Sequence, residues 1–424
     1  MDRPLRFAVI TCLAAGGSPL WAQPFETFDP RILAMGGAGV AAATPASAPF
    51  FNPALLAASA PARDFDLHTP TITARVSDKG KARDEVDEID ELINRLDDRY
   101  QAAEAEFEQL RQSATLFDLL TGFRRLNQSL EREATLREIQ RLERNLEDID
   151  EDRGTVDAFA GLAVGVPGER FGVGVFTSGQ LYATAEARFA EADRVYLDAA
   201  QASVRLGGVP LLPPEEALQS SIEWRGASLL EAGVSFAFAP APSWAIGVTP
   251  KYQRVETFDY RQTVADADLD IDEGNKDFDD MNVDVGLAGR FGGAWRAGLV
   301  AKNLASRTYD TVRGNEIELQ PQLRAGIAYE QLTWTLTADV DVLENDPLGT
   351  LDSPTQYVSV GGEVRAVPGV WLRAGARTNL ADNQTSETIG TVGLGLAAGP
   401  VQLDLAAGAG DEEYVAGLRG GVRF

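Results

Sequence analysis

From residue 155 onward, large apolar residues alternate with small or polar ones at period two, the spacing of a strand whose two faces meet different surroundings. Leu230, Ala232, Val234, Phe236 and Phe238 alternate with Glu231, Gly233, Ser235 and Ala237. Met281, Val283, Val285 and Leu287 alternate with Asn282, Asp284, Gly286 and Ala288. Leu332, Trp334, Leu336, Ala338 and Val340, and later Val401, Leu403, Leu405 and Ala407, repeat the pattern. It predicts about fourteen strands, at 63–75, 155–166, 169–186, 222–239, 243–261, 278–290, 294–302, 321–330, 332–343, 356–366, 369–379, 387–398, 400–409 and 413–424. Alternation alone fits a soluble sandwich as well as a membrane barrel, since the two differ only in which face meets water.

The connections separate the two. Short turns at Pro167-Gly168, Pro240-Ala241-Pro242, Phe291-Gly292-Gly293, Val367-Pro368 and Gly399-Pro400 alternate with long segments at 76–154, 187–221, 262–277, 303–320, 344–355 and 380–386. Short periplasmic turns and long outer loops characterise an outer-membrane barrel. Tyr414, Leu418, Val422 and Phe424 lie on one face of the last strand. An amphipathic strand closing on an aromatic residue resembles the C-terminal signal of bacterial outer-membrane barrels. These four residues are therefore the expected membrane-insertion signal, read by the barrel-assembly machinery. The expectation is an all-β antiparallel outer-membrane barrel over 63–424, in contact with outer-membrane lipid and lipopolysaccharide.

Two segments break the alternation. Residues 1–22 read as a signal peptide: Arg3 and Arg6, an apolar run Phe7–Ala15, then Pro19-Leu20-Trp21-Ala22 before Gln23. The run is shorter than the ~20 residues a membrane helix needs. Cys12 lies inside it rather than at the cleavage point, so no lipid anchor is expected. Residues 81–150 carry no Pro and one Gly. There Val86, Ile89, Ile93, Leu96, Tyr100, Ala103, Phe107, Leu110, Ala114 and Phe117 recur at steps of three and four, a heptad seam. Leu126, Leu130, Ile139, Leu142, Leu146 and Ile149 form a second stripe past Gly122. A coiled-coil hairpin is expected within the outer insertion 76–154. Its surface is acidic, with 19 Asp+Glu against 11 Lys+Arg over 81–150. It is either a solvated cover for the barrel mouth or an arm that docks a protein partner.

Composition narrows the chemistry. The net charge of −26 opposes nucleic-acid binding, which needs clustered Lys and Arg. One His and one Cys in 424 residues argue against imidazole or thiolate metal sites and a Cys–His pair, so no cofactor and no metal are expected. His68, the single histidine, gains no catalytic partner from alternation, and no Ser/His/Asp set is apparent, which argues against an enzyme. The acidic run 266–280 lacks the glycine register of a calcium loop; it reads as a solvated loop or a bridge to lipopolysaccharide through cations. Arg290, Arg296, Lys302, Arg324, Arg373 and Arg377, with Asp284, Asp339, Glu363 and Asp404, fall on lumen faces and predict an internal charge network. Trp244, Trp295, Trp334, Trp371, Tyr329 and Tyr357 are expected at the membrane interfaces.

A last motif lies at 25–57. Small residues dominate 34–48, so the backbone can pack in a confined space, and a barrel of this strand number is too wide for its wall side chains to fill. Residues 23–62 are the expected hatch. The run Gly36-Gly37-Ala38-Gly39 lacks the Gly-Lys-Ser/Thr ending of a phosphate loop. Ala34-Met35-Gly36-Gly37-Ala38-Gly39-Val40-Ala41 followed by Phe50-Phe51-Asn52-Pro53-Ala54 resembles the N-terminal signature of the FadL-like long-chain fatty-acid transporter superfamily. Joined to Pro24-Phe25-Glu26-Thr27-Phe28-Asp29-Pro30-Arg31, it more closely resembles the conjugal transfer TraF family of outer-membrane barrels; the thioredoxin-like protein of that name is set apart by its Cys-x-x-Cys. The resemblance implies fourteen strands, an N-terminal hatch and a lateral or luminal route for hydrophobic molecules. Met35, Gly36, Gly37, Gly39, Val40, Phe50, Phe51, Asn52 and Pro53 are the candidate ligand-binding residues. Two functions stay open: a passive channel or binder for hydrophobic small molecules, and a structural or adhesive barrel that displays the helical hairpin to a partner in conjugation or cell contact.

Overall fold

The computed structural model describes residues 28–58, 65–78, 132–150, 153–206, 218–263, 274–345, 355–381, 388–410 and 413–423, with single helical residues between 88 and 101. The signal peptide, most of the helical insertion, the acidic loop at 264–273 and Phe424 lie outside these residues.

The described chain is mostly sheet. The early strands are β1 (Asp66–Asp78), β2 (Arg153–Val166), β3 (Phe171–Arg188), β4 (Ser221–Ala241), β5 (Trp244–Thr263), β6 (Asn275–Phe291) and β7 (Trp295–Lys302). A short pair follows, β8 (Arg307–Asp310) and β9 (Glu316–Leu319). The rest are β10 (Gln322–Glu330), β11 (Trp334–Asp341), β12 (Tyr357–Val367), β13 (Val370–Asn379), β14 (Thr388–Ala398), β15 (Val401–Ala409) and β16 (Glu413–Arg423). Leaving out β8 and β9, the strands form one closed antiparallel barrel of fourteen, in chain order, with β1 paired to β16. The strand ends fall within three residues of those the alternation predicts.

Facing decides between barrel and sandwich. The large members of each alternating set are the exposed ones: Leu230 and Phe236 on β4, Leu287 on β6, Leu336 on β11, Leu403 and Leu405 on β15. Their small and charged neighbours point inward and are buried, among them Glu231, Ser235, Asp284, Asp339 and Asp404. An apolar exterior around a polar interior suits lipid outside. On β16, Tyr414 and Leu418 are exposed outward and Val422 half-buried.

β3 pairs without a register break to β4 along its whole length and to β2 over residues 173–186. The ladder on β1 is interrupted between Thr69 and Thr71, at Pro70, which has no N–H to give.

Two elements occupy the barrel. Residues 28–58 fold as three short helices, α1 (Pro30–Leu33), α2 (Ala48–Phe51) and α3 (Leu55–Ala58), joined by tight turns and almost wholly buried. The β8–β9 hairpin packs Tyr309, Ile317 and Leu319 onto the inward residues Tyr182, Ala227, Leu229 and Val255 of β3 to β5. Segment 303–320, expected to be a solvated outer loop, is thus partly a hairpin on the inner wall; the apolar face of Ile317 and Leu319 requires burial.

Two further helices, α4 (Arg132–Asp148) and α5 (Glu191–Arg205), belong to the long-loop end. Ile139 and Leu142 of α4 and Leu197, Ala200 and Val204 of α5 share one apolar cluster with Leu92, Leu96 and Phe189. Leu96 is on the predicted seam and Leu92 is not. Segment 187–221, expected as a loop, contains α5; Leu197, Ala200 and Val204 carry its helical spacing.

Candidate functional site

The interior is built around the N-terminal segment. Asp29 caps α1, accepting from the N–H of Arg31 at 2.8 Å. Gly36 and Gly37 turn the chain at φ +73° and +90°, a conformation L side chains rarely adopt. The wall is hollowed to receive this segment. A Cβ at Gly361 or Gly375 would lie 2.3 Å from Met35 backbone or the Gly36 N–H, and one at Gly298 2.5 Å from the Val40 carbonyl. Gly247 meets Ala54 and Gly286 meets Asn52 in the same way.

Hydrogen bonds fix the seating. One oxygen of Asp339 accepts from the N–H groups of Gly39 and Val40 at 2.7 and 2.9 Å. Asn52 donates to the carbonyls of Val40 and Leu287, both at 3.1 Å. Thr391 accepts from the Gly36 N–H at 3.0 Å and donates to the Ala34 carbonyl.

A chain of buried charges then runs from segment to wall. Arg419 on β16 reaches Asp29 at 2.5 Å and also pairs with Asp404 on β15. Arg373 on β13 links Asp404 at 2.6 Å to Glu363 at 3.0 Å. Arg31 of α1 closes the series on Glu363 and donates to the Ala42 carbonyl. Burial would push the Asp29 carboxyl up, but Arg419, then His68, Ser47 and Arg31, together hold it well below the ordinary carboxylate range. The predicted lumen charges Lys302, Arg324, Arg373, Arg377, Asp284, Asp339 and Asp404 are all buried inside. Asp29 and Arg419, the first two members of the series, were not among the predicted lumen charges: one precedes the first strand and the other falls among glycines.

His68 does gain partners, contrary to expectation, from residues 28–58 as well as from its own strand. Its Nδ1 lies 3.4 Å from Ser47 Oγ and 3.8 Å from Asp29, and its Nε2 lies 3.8 Å from Asp66. A serine, a histidine and two aspartates therefore meet. All are buried, Arg419 lies 3.4 Å from the ring, and Ser47 donates its hydroxyl to Asp29. The arrangement clamps the segment to β1 and β16 and leaves Ser47 without the exposed geometry of a nucleophile.

The nine candidate ligand residues sit in this packing. Met35, Gly36, Gly37, Gly39 and Val40 lie against β10 to β14, and Asn52 and Pro53 against β5 to β7. Phe51 is buried beneath Gly39. Phe50 differs: it is half-buried and meets Phe159 and Phe176 edge-on at 5.6 and 5.1 Å. Phe159 stacks on Phe28 at 4.4 Å, and Phe28 packs on the cluster of Tyr182, Leu229, Val255 and Tyr309. An apolar column thus climbs the inner wall of β2 to β5, from Phe50 to the β8–β9 hairpin. The cavity at its upper end measures about 20 Å³, room for about one water.

Of the predicted interfacial aromatics, Trp295, Tyr329 and Trp334 point outward beside the short turns, Trp295 edge-on to Tyr329 at 4.8 Å and Tyr329 stacked on Trp334 at 5.3 Å. Trp371 and Tyr357 do not join them. Trp371 shares the inward face of Arg373 and Arg377, and Tyr357 is buried under the Arg377 guanidinium at 5.0 Å.

The family described as "F plasmid transfer operon, TraF, protein" matches residues 49–341. Among solved structures, the toluene transporter TodX of Pseudomonas putida is similar at TM-score 0.51 and 11% identity, over 97% of this chain and 99% of that one. A FadL homologue of Pseudomonas aeruginosa is similar at TM-score 0.50 and 9% identity, over 96% and 99%. No curated protein sequence matches. At these identities the likeness concerns the fold.

Proposed function

Proceeding from the TraF family, to which the chain belongs, we propose that this protein is a passive outer-membrane channel or binder for hydrophobic small molecules, with residues 28–58 as its hatch. The apolar column carries the reading. Barrel interiors are polar as a rule, so a continuous run of Phe50, Phe159, Phe28, Tyr182, Leu229 and Tyr309 inside the lumen calls for an apolar occupant. At about 20 Å³ the upper column has room for about one water; an organic guest enters if the hairpin or the hatch yields. Binding of this kind needs neither catalytic group nor cofactor.

The test is initial-rate uptake of radiolabelled toluene, the compound TodX is named for, by cells whose only barrel of this type is this one. Uptake above the barrel-free background that falls several-fold in Leu229→Asp supports the channel. Uptake equal to background sinks it.

The second reading, a barrel that displays its helices, rests on the separate apolar core shared by α4 and α5. Deleting 81–150 divides the two: lost mating or adhesion with intact uptake supports display, and the reverse supports the channel.

A further inference from the structure

At the short-turn end, periplasmic in an outer-membrane barrel, a cavity of about 790 Å³ opens between the hatch and the strands β7 and β10 to β16. That volume suits a small organic ligand. Its lining brings five arginines against three carboxylates, inside a chain of net charge −26. Three of the arginines, Arg31, Arg373 and Arg419, are spent on Glu363, Asp404 and Asp29. Arg296 is not. It is 8% exposed, Glu330 takes one of its terminal nitrogens at 2.5 Å, and its Nε is buried without a hydrogen-bond partner. A buried guanidinium donor left unmatched is costly and rare. Glu330 itself is about one-third exposed, so an incoming anion can displace it. Arg423 and the inward-facing indole of Trp371 also line the cavity.

We propose that this vestibule binds an organic monoanion with a flat apolar body, an aromatic carboxylate in chemical class, its carboxylate on Arg296 and its ring against Trp371. The site stands whether or not the lumen conducts, because it is open to the periplasm and touches neither the apolar column nor the β8–β9 hairpin. Arginine matches a carboxylate with two parallel donors, and the indole face offers the ring a stacking surface. The net charge of the whole chain repels anions at long range, so affinity resides in these short contacts and persists when salt screens the rest.

The test uses the full barrel in lipid nanodiscs, titrated calorimetrically with 1-naphthoate and with its neutral counterpart 1-naphthylmethanol, empty nanodiscs being subtracted. Naphthoate is expected to saturate a single site that naphthylmethanol does not occupy. Arg296→Gln is expected to weaken naphthoate about tenfold or more, the scale of a charged hydrogen bond. Glu330→Gln removes the competing carboxylate and is expected to tighten it several-fold. Equal binding of the neutral compound, or an unchanged affinity in Arg296→Gln, overturns the proposal. Should Arg296→Gln lose the heat-modifiable migration of a folded barrel, Glu330→Gln decides alone: tighter binding supports the site, and unchanged or weaker binding overturns it.

Discussion

The two halves of the inner wall hold their contents by different physics. Along β10 to β16, the hatch is fixed by directional bonds: Asp339 to two backbone N–H groups, Thr391 to Gly36 and Ala34, and the ionic series from Asp29 to Arg31. Along β2 to β5, the contact is mainly an apolar face, with Phe176, Tyr182, Leu229 and Val255 against Phe50, Tyr309 and Ile317, and directional bonds are confined to the hairpin's turn end, where Asp259 on β5 accepts from Thr311 at 2.9 Å and from Asn315 at 2.7 Å. A directional network has one good geometry, and a partial break leaves a buried charge unmatched. Apolar contacts are non-directional and re-form around a different partner at little loss. The β10 to β16 half therefore sets where residues 28–58 sit, and the apolar face of β2 to β5, away from the Asp259 anchor, is the surface that can re-form around a different partner.

The comparison can be broken most severely at Arg419. Arg419→Met strands the buried carboxylate of Asp29 and leaves Asp404 to Arg373 alone, and a loss of about 3–5 kcal/mol is expected, read as a fall in the urea midpoint of protease protection of residues 28–58. Next comes the contour of the wall: Gly361→Ala sets a methyl 2.3 Å from the Met35 carbonyl. About 1–3 kcal/mol of overpacking is expected from that change, with faster cleavage of the hatch but a barrel that still migrates as folded. On the apolar side, Ile317→Val is expected to cost only about 0.5–1.5 kcal/mol. Hydrogen exchange should then quicken in the β8–β9 hairpin and not in the hatch; equal quickening in both would erase the distinction between the halves.

The smallest effect sharpens the contrast by its absence. Asp29 is held below the ordinary carboxylate range, so its contribution to stability is fully present above the unfolded value of about 3.9. That contribution is lost only as pH falls through the lower folded value. A 13C-labelled Asp29 carboxyl should show no titration between pH 7 and pH 4. In Arg419→Met, burial loses its main opponent and the titration moves up.

Strands were legible because their period is short and their facing is forced by lipid. Leu230, Val234 and Phe236 announce an outward face whatever surrounds them. The lumen charges were legible for the same reason, as the other half of the alternation. What escaped has no period. Asp29 and Arg419 lie far apart in the chain and meet only when the ring closes. His68 looked isolated because its partners Ser47 and Asp29 belong to the hatch rather than to a neighbouring strand. The β8–β9 hairpin was hidden by brevity: Arg307–Asp310 and Glu316–Leu319 are four residues each, too short for alternation to declare itself. Trp371 was misplaced at the membrane surface because its residue type outweighed its parity with Arg373.

The clamp around Asp29 straddles the joint where the first strand meets the last. His68 belongs to β1 and Arg419 to β16, and both approach the same carboxylate of a segment that belongs to neither. The β1–β16 joint and the seating of residues 28–58 thus share one carboxylate, a single rivet through two plates, so that a change at Asp29 is felt at once by the seam of the wall and by what the wall encloses.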